Sequence, residues 1–113
     1  MVNLDTHVLI HALAGELRPM EERLLTSNEW SMAAIVLWEL AKLHQLGRIE
    51  LDFDEPEVDA ALASLHVWPM DLAVARTSTQ LDFKADPADE LIAATSIVHD
   101  VPLVTREAAE QPF

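Results

Sequence analysis

Residues 86–95 read Asp86-Pro87-Ala88-Asp89-Glu90-Leu91-Ile92-Ala93-Ala94-Thr95, which is the pattern of a strong helix. Asp86 suits the N-cap of a helix and Pro87 its first position, while Asp89 and Glu90 suit the positive end of the helix dipole. The apolar residues that follow extend the helix, which we predict to run to about His99. Residues 78–85 have no clean period and are predicted to form the loop that precedes it.

Apolar strands and helical segments alternate along the rest of the chain. Strands are predicted at 2–4, 29–33, 67–69 and 102–105, and helices at 6–14, from 19, 34–46, from 56, 72–77 and 87–99. Residues 48–54 alternate apolar with charged side chains and are either a short strand or an extended linker. This order predicts a single domain over residues 1–113, a three-layer α/β/α sandwich with a central, mainly parallel sheet.

The apolar positions also predict which helix faces are buried. In the second helix, Leu24 and Leu25 are expected to face inward. In the helix over 34–46, one stripe is expected to carry the apolar contacts with the core. The members of that stripe are Ile35, Trp38, Leu43 and Leu46.

The charge and composition exclude several classes of protein. The chain has 113 residues, 20 acidic and 7 basic, so its formal net charge is −13 with histidines neutral. The lack of cysteine excludes a disulfide scaffold, a thiolate zinc site and a cysteine nucleophile. No apolar run approaches about 20 residues and no basic-then-apolar leader precedes Asp5, so we expect a cytoplasmic protein without a membrane anchor.

Acidic residues occur where a parallel sheet would place a binding site. Ligands of such sheets lie beyond the carboxyl ends of the strands. Asp5 ends the first predicted strand and Glu107 lies just beyond the last, while Glu39 falls early in the helix after the second strand. Asp86 and Asp89 begin the helix that follows the long loop. Carboxylates from these segments would repel one another unless a hard cation such as Mg²⁺ or Mn²⁺ lay among them, and such a site suits phosphodiester hydrolysis.

Each acid also has a purely structural explanation. Asp5 and Asp86 could serve only as helix N-caps, and Glu39 could lie on the exposed edge of its helix. Other clusters give weaker signals. The acidic run 50–59 lacks the glycine and glutamate of an EF-hand, and His7 with His11 lacks the surrounding pattern of a zinc site.

The chain resembles the PIN-domain proteins, and more narrowly the VapC toxins of bacterial toxin–antitoxin modules, in four motifs. These are Leu4-Asp5-Thr6-His7, Leu37-Trp38-Glu39-Leu40, the stretch 86–95 and Pro102-Leu103-Val104-Thr105. The motifs span nearly the whole chain in the right order and spacing. The resemblance implies a Mg²⁺- or Mn²⁺-dependent ribonuclease that forms a homodimer and is blocked by a cognate antitoxin protein.

The resemblance also assigns roles by position. Asp5, Glu39 and Asp89 match the core metal-binding, catalytic acids of the family, and Asp86 matches a frequent additional acid. Glu107 stands where the family usually has an aspartate, so it is included among the metal ligands. The hydroxyls of Thr6 and Thr105 match supporting positions beside the site.

The sequence departs from the family at other positions, which keeps a second class of function open. Glu90 replaces a frequent arginine and Ala33 a frequent serine. Glu90 and Glu107 support an alternative in which the chain is a catalytically weak or inactive PIN-fold binding or regulatory module. For the catalytic alternative, Lys84 and Arg106 flank the site in sequence and are expected to steer the phosphate. A phosphoaspartate receiver is disfavoured because Asp5 stands alone and neither lysine ends a strand.

Overall fold

Four parallel strands form the centre of the computed structural model, which describes residues 1–106. The strands are β1 (Val2–Leu4), β2 (Trp30–Ala33), β3 (His66–Trp68) and β4 (Leu103–Val104), in the order β3-β2-β1-β4. Asn3 pairs with Ser31 of β2 on one side and with Leu103 of β4 on the other. The two inner strands are the most buried, as both faces of a covered parallel sheet must be.

Six helices of the described chain flank this sheet in a three-layer α/β/α arrangement. They are α1 (Thr6–Ala14), α2 (Pro19–Thr26), α3 (Ala34–Gln45), α4 (Pro56–Ser64), α5 (Leu72–Ser78) and α6 (Pro87–His99). The predicted α/β sandwich is therefore confirmed, and its sheet is wholly parallel within residues 1–106. None of the helices described there is long and apolar enough to cross a bilayer.

Local sequence explains where the helices begin and end. The side chains of Asp5 and Asp71 accept hydrogen bonds from Val8 N and Val74 N, each at 3.0 Å, and so cap α1 and α5. The helices α2, α4 and α6 each have proline near their first position. Gly15 ends α1 in the left-handed conformation, with φ at 73°, which glycine adopts without strain.

The buried faces of two helices differ from the prediction. In α3 the core residues are Val36 and Leu40, whereas Trp38 is 58% exposed. In α2, Leu25 is buried but Leu24 is 42% exposed. The predictions were right only in part: Leu25 and Ile35 contact the core as expected, whereas Leu24 and Trp38 do not. Both segments carry apolar residues on more than one face, so periodicity alone does not choose the face that meets the sheet.

Residues 48–54 form a linker and not a strand. They contain no β-bridge, but Leu51 is buried and Phe53 packs against the core. Of the two structures left open by the sequence, the extended linker is therefore the one observed.

The order of the strands creates a switch point beside β1. The chain passes from β1 outward to β2 and β3, and then returns to form β4 on the other side of β1. In open parallel sheets, the crevice at the carboxyl ends of the two strands that flank such a reversal is where ligands bind. Here those strands are β1 and β4, which end immediately before Asp5 and Thr105.

Candidate functional site

Asp5 lies at the switch point and is held there from two directions. Its backbone N donates to the carbonyl of Val104 at 3.1 Å, which joins the ends of β1 and β4. Its Oδ1 accepts the Val8 N–H at 3.0 Å. Asp5 is thus the N-cap that the structural explanation required, and one carboxylate oxygen makes that cap. A carboxylate has about four acceptor positions, so capping leaves capacity for a further ligand.

Thr6 connects Asp5 to Glu39. The Thr6 side chain is buried, and its hydroxyl donates a hydrogen bond to Oε1 of Glu39. This contact joins the first turn of α1 to the second turn of α3, and it holds the half-buried Glu39 carboxylate beside the residue that follows Asp5. The structure therefore joins Thr6 to Glu39 directly, and it links Asp5 to Glu39 through the chain neighbour Thr6.

Asp89 is an exposed residue in the first turn of α6, two helical turns before a contact between α6 and β1. The buried Asn3 of β1 donates from Nδ2 to Ser96 Oγ at 2.9 Å. Asp89 precedes Ser96 by seven residues, which is two helical turns, so both lie on nearly the same side of α6. A short connection joins the end of α6 to the start of β4, which is parallel to β1, so α6 runs opposite to both strands. The step from Ser96 back to Asp89 therefore has the same direction as the step from Asn3 to Asp5. Asp5 and Asp89 consequently lie toward the same edge of the sheet.

Asp86 occupies the N-cap position of α6 but does not cap the helix with its side chain. Its carbonyl accepts the Glu90 N–H at 3.0 Å, whereas its exposed carboxylate makes no capping hydrogen bond. The explanation of this carboxylate as a simple N-cap is therefore wrong. Thr105 lies at the end of β4, beside the Val104 carbonyl that binds Asp5, and Glu107 lies outside the described residues.

Arg106 is committed to another partner, contrary to the expectation that it steers a phosphate. Its Nε and Nη2 each donate to the carboxylate of Glu21 at 2.8 Å, and Nη2 also donates to the Glu16 carbonyl at 2.8 Å. The hydrogen bonds from Arg106 hold the pKa of the Glu21 carboxyl below its usual value, against the opposing effect of burial. This pair fixes the end of β4 to the start of α2.

Glu21 is the residue of this region that sequence reasoning missed. Its position three residues after Arg18 matches a capping box, and its carboxylate does accept the Arg18 N–H at 2.8 Å. No local pattern, however, indicates a bidentate bond to an arginine 85 residues away. Lys84, by contrast, has an exposed side chain and makes no ion pair within residues 1–106.

The donor chemistry of these residues fits a hard divalent cation. All the assigned acids provide oxygen, the ligand that Mg²⁺ and Mn²⁺ prefer. Within residues 1–106, no three histidine or acidic side chains are grouped closely enough to hold one ion. Magnesium sites usually consist of only one or two carboxylates completed by water and substrate phosphate, so Asp5 and its neighbours fit that type of site.

Comparison with known families identifies the domain. Residues 2–109 match the family model of the PIN domain. The chain belongs to the PIN-domain family. PIN domains are generally nucleases and typically use divalent metal ions. No curated protein sequence matches this PIN domain at a significant level.

Solved structures share the fold of this PIN domain at low sequence identity. A toxin–antitoxin complex from Klebsiella pneumoniae aligns with a TM-score of 0.73 and 20% identity, over 96% of this chain and 88% of that chain. VapBC2 from Rickettsia felis, bound to a DNA fragment from its promoter, aligns with a TM-score of 0.70 and 19% identity, over 99% and 94%. FitAcB from Neisseria gonorrhoeae aligns with a TM-score of 0.68 and 20% identity, over 96% and 88%.

Proposed function

We propose that this PIN domain is a Mg²⁺- or Mn²⁺-dependent endoribonuclease that acts as the toxin of a toxin–antitoxin pair. The observation that carries the proposal is the hydrogen bond between Thr6, which follows Asp5 at the switch point, and Glu39. Asp89 of α6 lies toward the same edge of the sheet. Solved relatives of this fold are toxin–antitoxin complexes, which supports a cognate antitoxin as partner and a VapC-like toxin as the class.

In the proposed site, Asp5, Glu39 and Asp89 are the catalytic acids, and Asp86 and Glu107 are the further metal ligands that the family resemblance assigns. Because no three acids within residues 1–106 are grouped closely enough to hold one ion directly, we propose that one or two of them bind the ion and that the others bind it through water. A divalent ion bound there would lower the pKa of a bound water and offset the charge that develops on the phosphate. Thr6 holds the Glu39 carboxylate through its hydroxyl and so fixes one ligand before substrate binds. Thr105 supports the site from the end of β4.

The negative charge of the chain shapes how RNA would bind. With 20 acidic and 7 basic residues, and with Arg106 bound to Glu21, few cations are left to attract phosphate. We therefore expect weak binding of RNA without the metal ion. In this proposal a homodimer or another partner supplies further basic surface, and the protein acts on RNA in the cytoplasm.

The test is cleavage of single-stranded RNA by the Asp5→Asn variant, with Mn²⁺ or with EDTA. Asparagine is as good an N-cap as aspartate, so the substitution removes the charge and keeps the hydrogen bond to Val8 N. Asp71→Asn is the matched control, because Asp71 caps α5 with the same 3.0 Å geometry and lies after β3, two strands or about 10 Å from β1.

We expect the wild type and Asp71→Asn to cleave RNA only with Mn²⁺, and Asp5→Asn to lose at least about 100-fold in rate, as removal of a group that stabilises transition-state charge does. Cleavage that persists in EDTA or survives Asp5→Asn would overturn the proposal. A folded wild type that neither cleaves RNA nor responds to Mn²⁺ would favour the inactive binding module.

A further inference from the structure

A cavity of about 360 Å³ lies on the flank of α6 away from Asp89. It is enclosed by the end of α5, the loop 79–86 and the first turn of α6. On α6 it is lined by Pro87, Glu90 and Leu91, which form one stripe at positions i, i+3 and i+4. Asp89 projects from the other side of the same turn, so the cavity and the candidate catalytic edge are separated only by the width of one helix, about 10 Å.

The lining of this cavity combines three kinds of side chain. Phe83 provides an aromatic ring that is half-buried, Lys84 an exposed ammonium group, and Glu90 a half-buried carboxylate. An aromatic ring is the usual surface on which proteins stack an unpaired base. A lysine binds phosphate as a point charge. The cavity thus offers a ring for the face of a base, an acceptor for the edge of that base, and a cation for the phosphate.

A carboxylate at the position of Glu90 would suit some bases better than others. An ionised carboxylate only accepts hydrogen bonds, and its two oxygens suit two donors side by side. Guanine presents such a pair, N1–H and N2–H, on its Watson–Crick edge. Adenine and cytosine present one amine beside an acceptor nitrogen, and uracil presents one N–H between two carbonyls, so each of them would oppose an acceptor to Glu90. The preferred base is therefore guanine.

We propose that this cavity is a subsite for an unpaired guanosine nucleotide of single-stranded RNA. Phe83 stacks on the base, Glu90 accepts from its Watson–Crick edge, and Lys84 contacts a phosphate. That the nucleotide belongs to RNA rests on the proposed function, whereas the recognition of guanine rests on the cavity alone. The subsite also gives the two residues Lys84 and Glu90, which the metal site does not use, a joint role in selecting the substrate.

The test measures the binding of GMP, AMP, CMP and UMP to the metal-free protein in EDTA. Binding is detected by changes in the backbone NMR chemical shifts. We expect GMP to shift the amides of Phe83, Lys84 and Glu90, and to bind at least about ten-fold more tightly than AMP, as one lost hydrogen bond to a charged group implies. Glu90→Gln should reduce that preference to about three-fold or less. Lys84→Gln should weaken all four nucleotides equally.

Matched controls are Glu57→Gln, in the first turn of α4, and Lys42→Gln, which changes the other lysine of the chain. Both should leave nucleotide binding unchanged. Equal affinity for the four nucleotides, shifts that map elsewhere, or a preference that survives Glu90→Gln would overturn the subsite.

Competition experiments with RNA distinguish a nucleotide within single-stranded RNA from a free nucleotide as the ligand. A single-stranded tetranucleotide with one guanosine should compete with GMP, whereas the same guanosine in a duplex should not. Failure of the single-stranded RNA to compete would reduce the cavity to a site for free nucleotide and refute the subsite. Nucleotide binding is measured in EDTA and therefore does not depend on the metal ion. A wild type that does not cleave RNA would refute the proposed function and leave guanine recognition intact. A wild type that cleaves RNA but does not prefer GMP would refute the subsite and leave the proposed function intact.

Discussion

The ion pair between Glu21 and Arg106 gives a prediction whose size follows from the structure. The carboxylate accepts three charge-assisted hydrogen bonds, two from Arg106 and one from Arg18 N, and both side chains are less than one-fifth exposed. Glu21→Gln keeps one acceptor oxygen but removes the charge. Since a hydrogen bond to a charged group contributes roughly 1.5–3 kcal/mol, we expect a loss of about 2 kcal/mol in the free energy of unfolding at pH 7.

Urea unfolding followed by tryptophan fluorescence measures this loss. With a urea m-value of about 2 kcal/mol/M, the midpoint should fall by about 1 M while m stays unchanged. The neighbouring variant Glu22→Gln is the control, because Glu22 is exposed and should change stability by less than about 0.5 kcal/mol. A Glu21→Gln midpoint within 0.25 M of the wild type, an estimate on the same m-value, would refute the assigned strength.

The same pair should make stability depend on pH. The folded-state pKa of Glu21 lies below its unfolded value of about 4.3, so its contribution is present above that value and is lost as the pH falls through the lowered folded pKa. The difference between wild type and Glu21→Gln should therefore be constant from about pH 7 to 5 and should shrink below about pH 4. A difference that grows at low pH would contradict the direction of the pKa shift.

Three further predictions concern the residues that position the site. Thr6→Val should cost about 1–3 kcal/mol and slow RNA cleavage, because it leaves the Glu39 carboxylate without its donor, and Thr6→Ser should retain both properties. Leu40→Ala should cost about 2–5 kcal/mol in urea unfolding, whereas Trp38→Ala should cost less than about 1 kcal/mol, since only Leu40 lies in the core. Ser96→Ala should cost about 1–3 kcal/mol by orphaning the buried Asn3 amide, and an unchanged melting temperature would contradict that contact.

Local sequence predicts most of the fold because its signals are strong and close together. The proline start of α6, the cap of α1 by Asp5 and the short apolar strands all depend on neighbouring residues, and each was confirmed to within a few positions. The cap expected from the Asp86 carboxylate is not made. The buried face of α3 was predicted only in part, with Ile35 correct and Trp38 wrong, since Trp38 and Leu40 are both apolar and only contact with the sheet decides which of them is buried.

The candidate site was predictable only in part. The places of Asp5 and Glu39 after neighbouring strands follow from the parallel sheet, but the hydrogen bond from the Thr6 hydroxyl to Glu39 is a tertiary contact without a local signal. Arg106 is a second residue whose contacts could not be predicted from its neighbours in the sequence. Its place in the sequence suggested a role in phosphate binding, but in the structure its guanidinium group forms an ion pair with Glu21, which is distant in sequence.

Binding of Mn²⁺ tests most directly whether the acids of separate segments form one ion site. The loss of the free Mn²⁺ signal in electron paramagnetic resonance gives the number of ions bound and their affinity without any RNA. We predict one ion for each wild-type chain, an unchanged affinity in Asp71→Asn, and an affinity reduced at least about ten-fold in Asp5→Asn, the weakening expected on losing one charged ligand contact. Equal affinities in Asp5→Asn and Asp71→Asn, or no bound ion in the wild type, would contradict the proposed metal site.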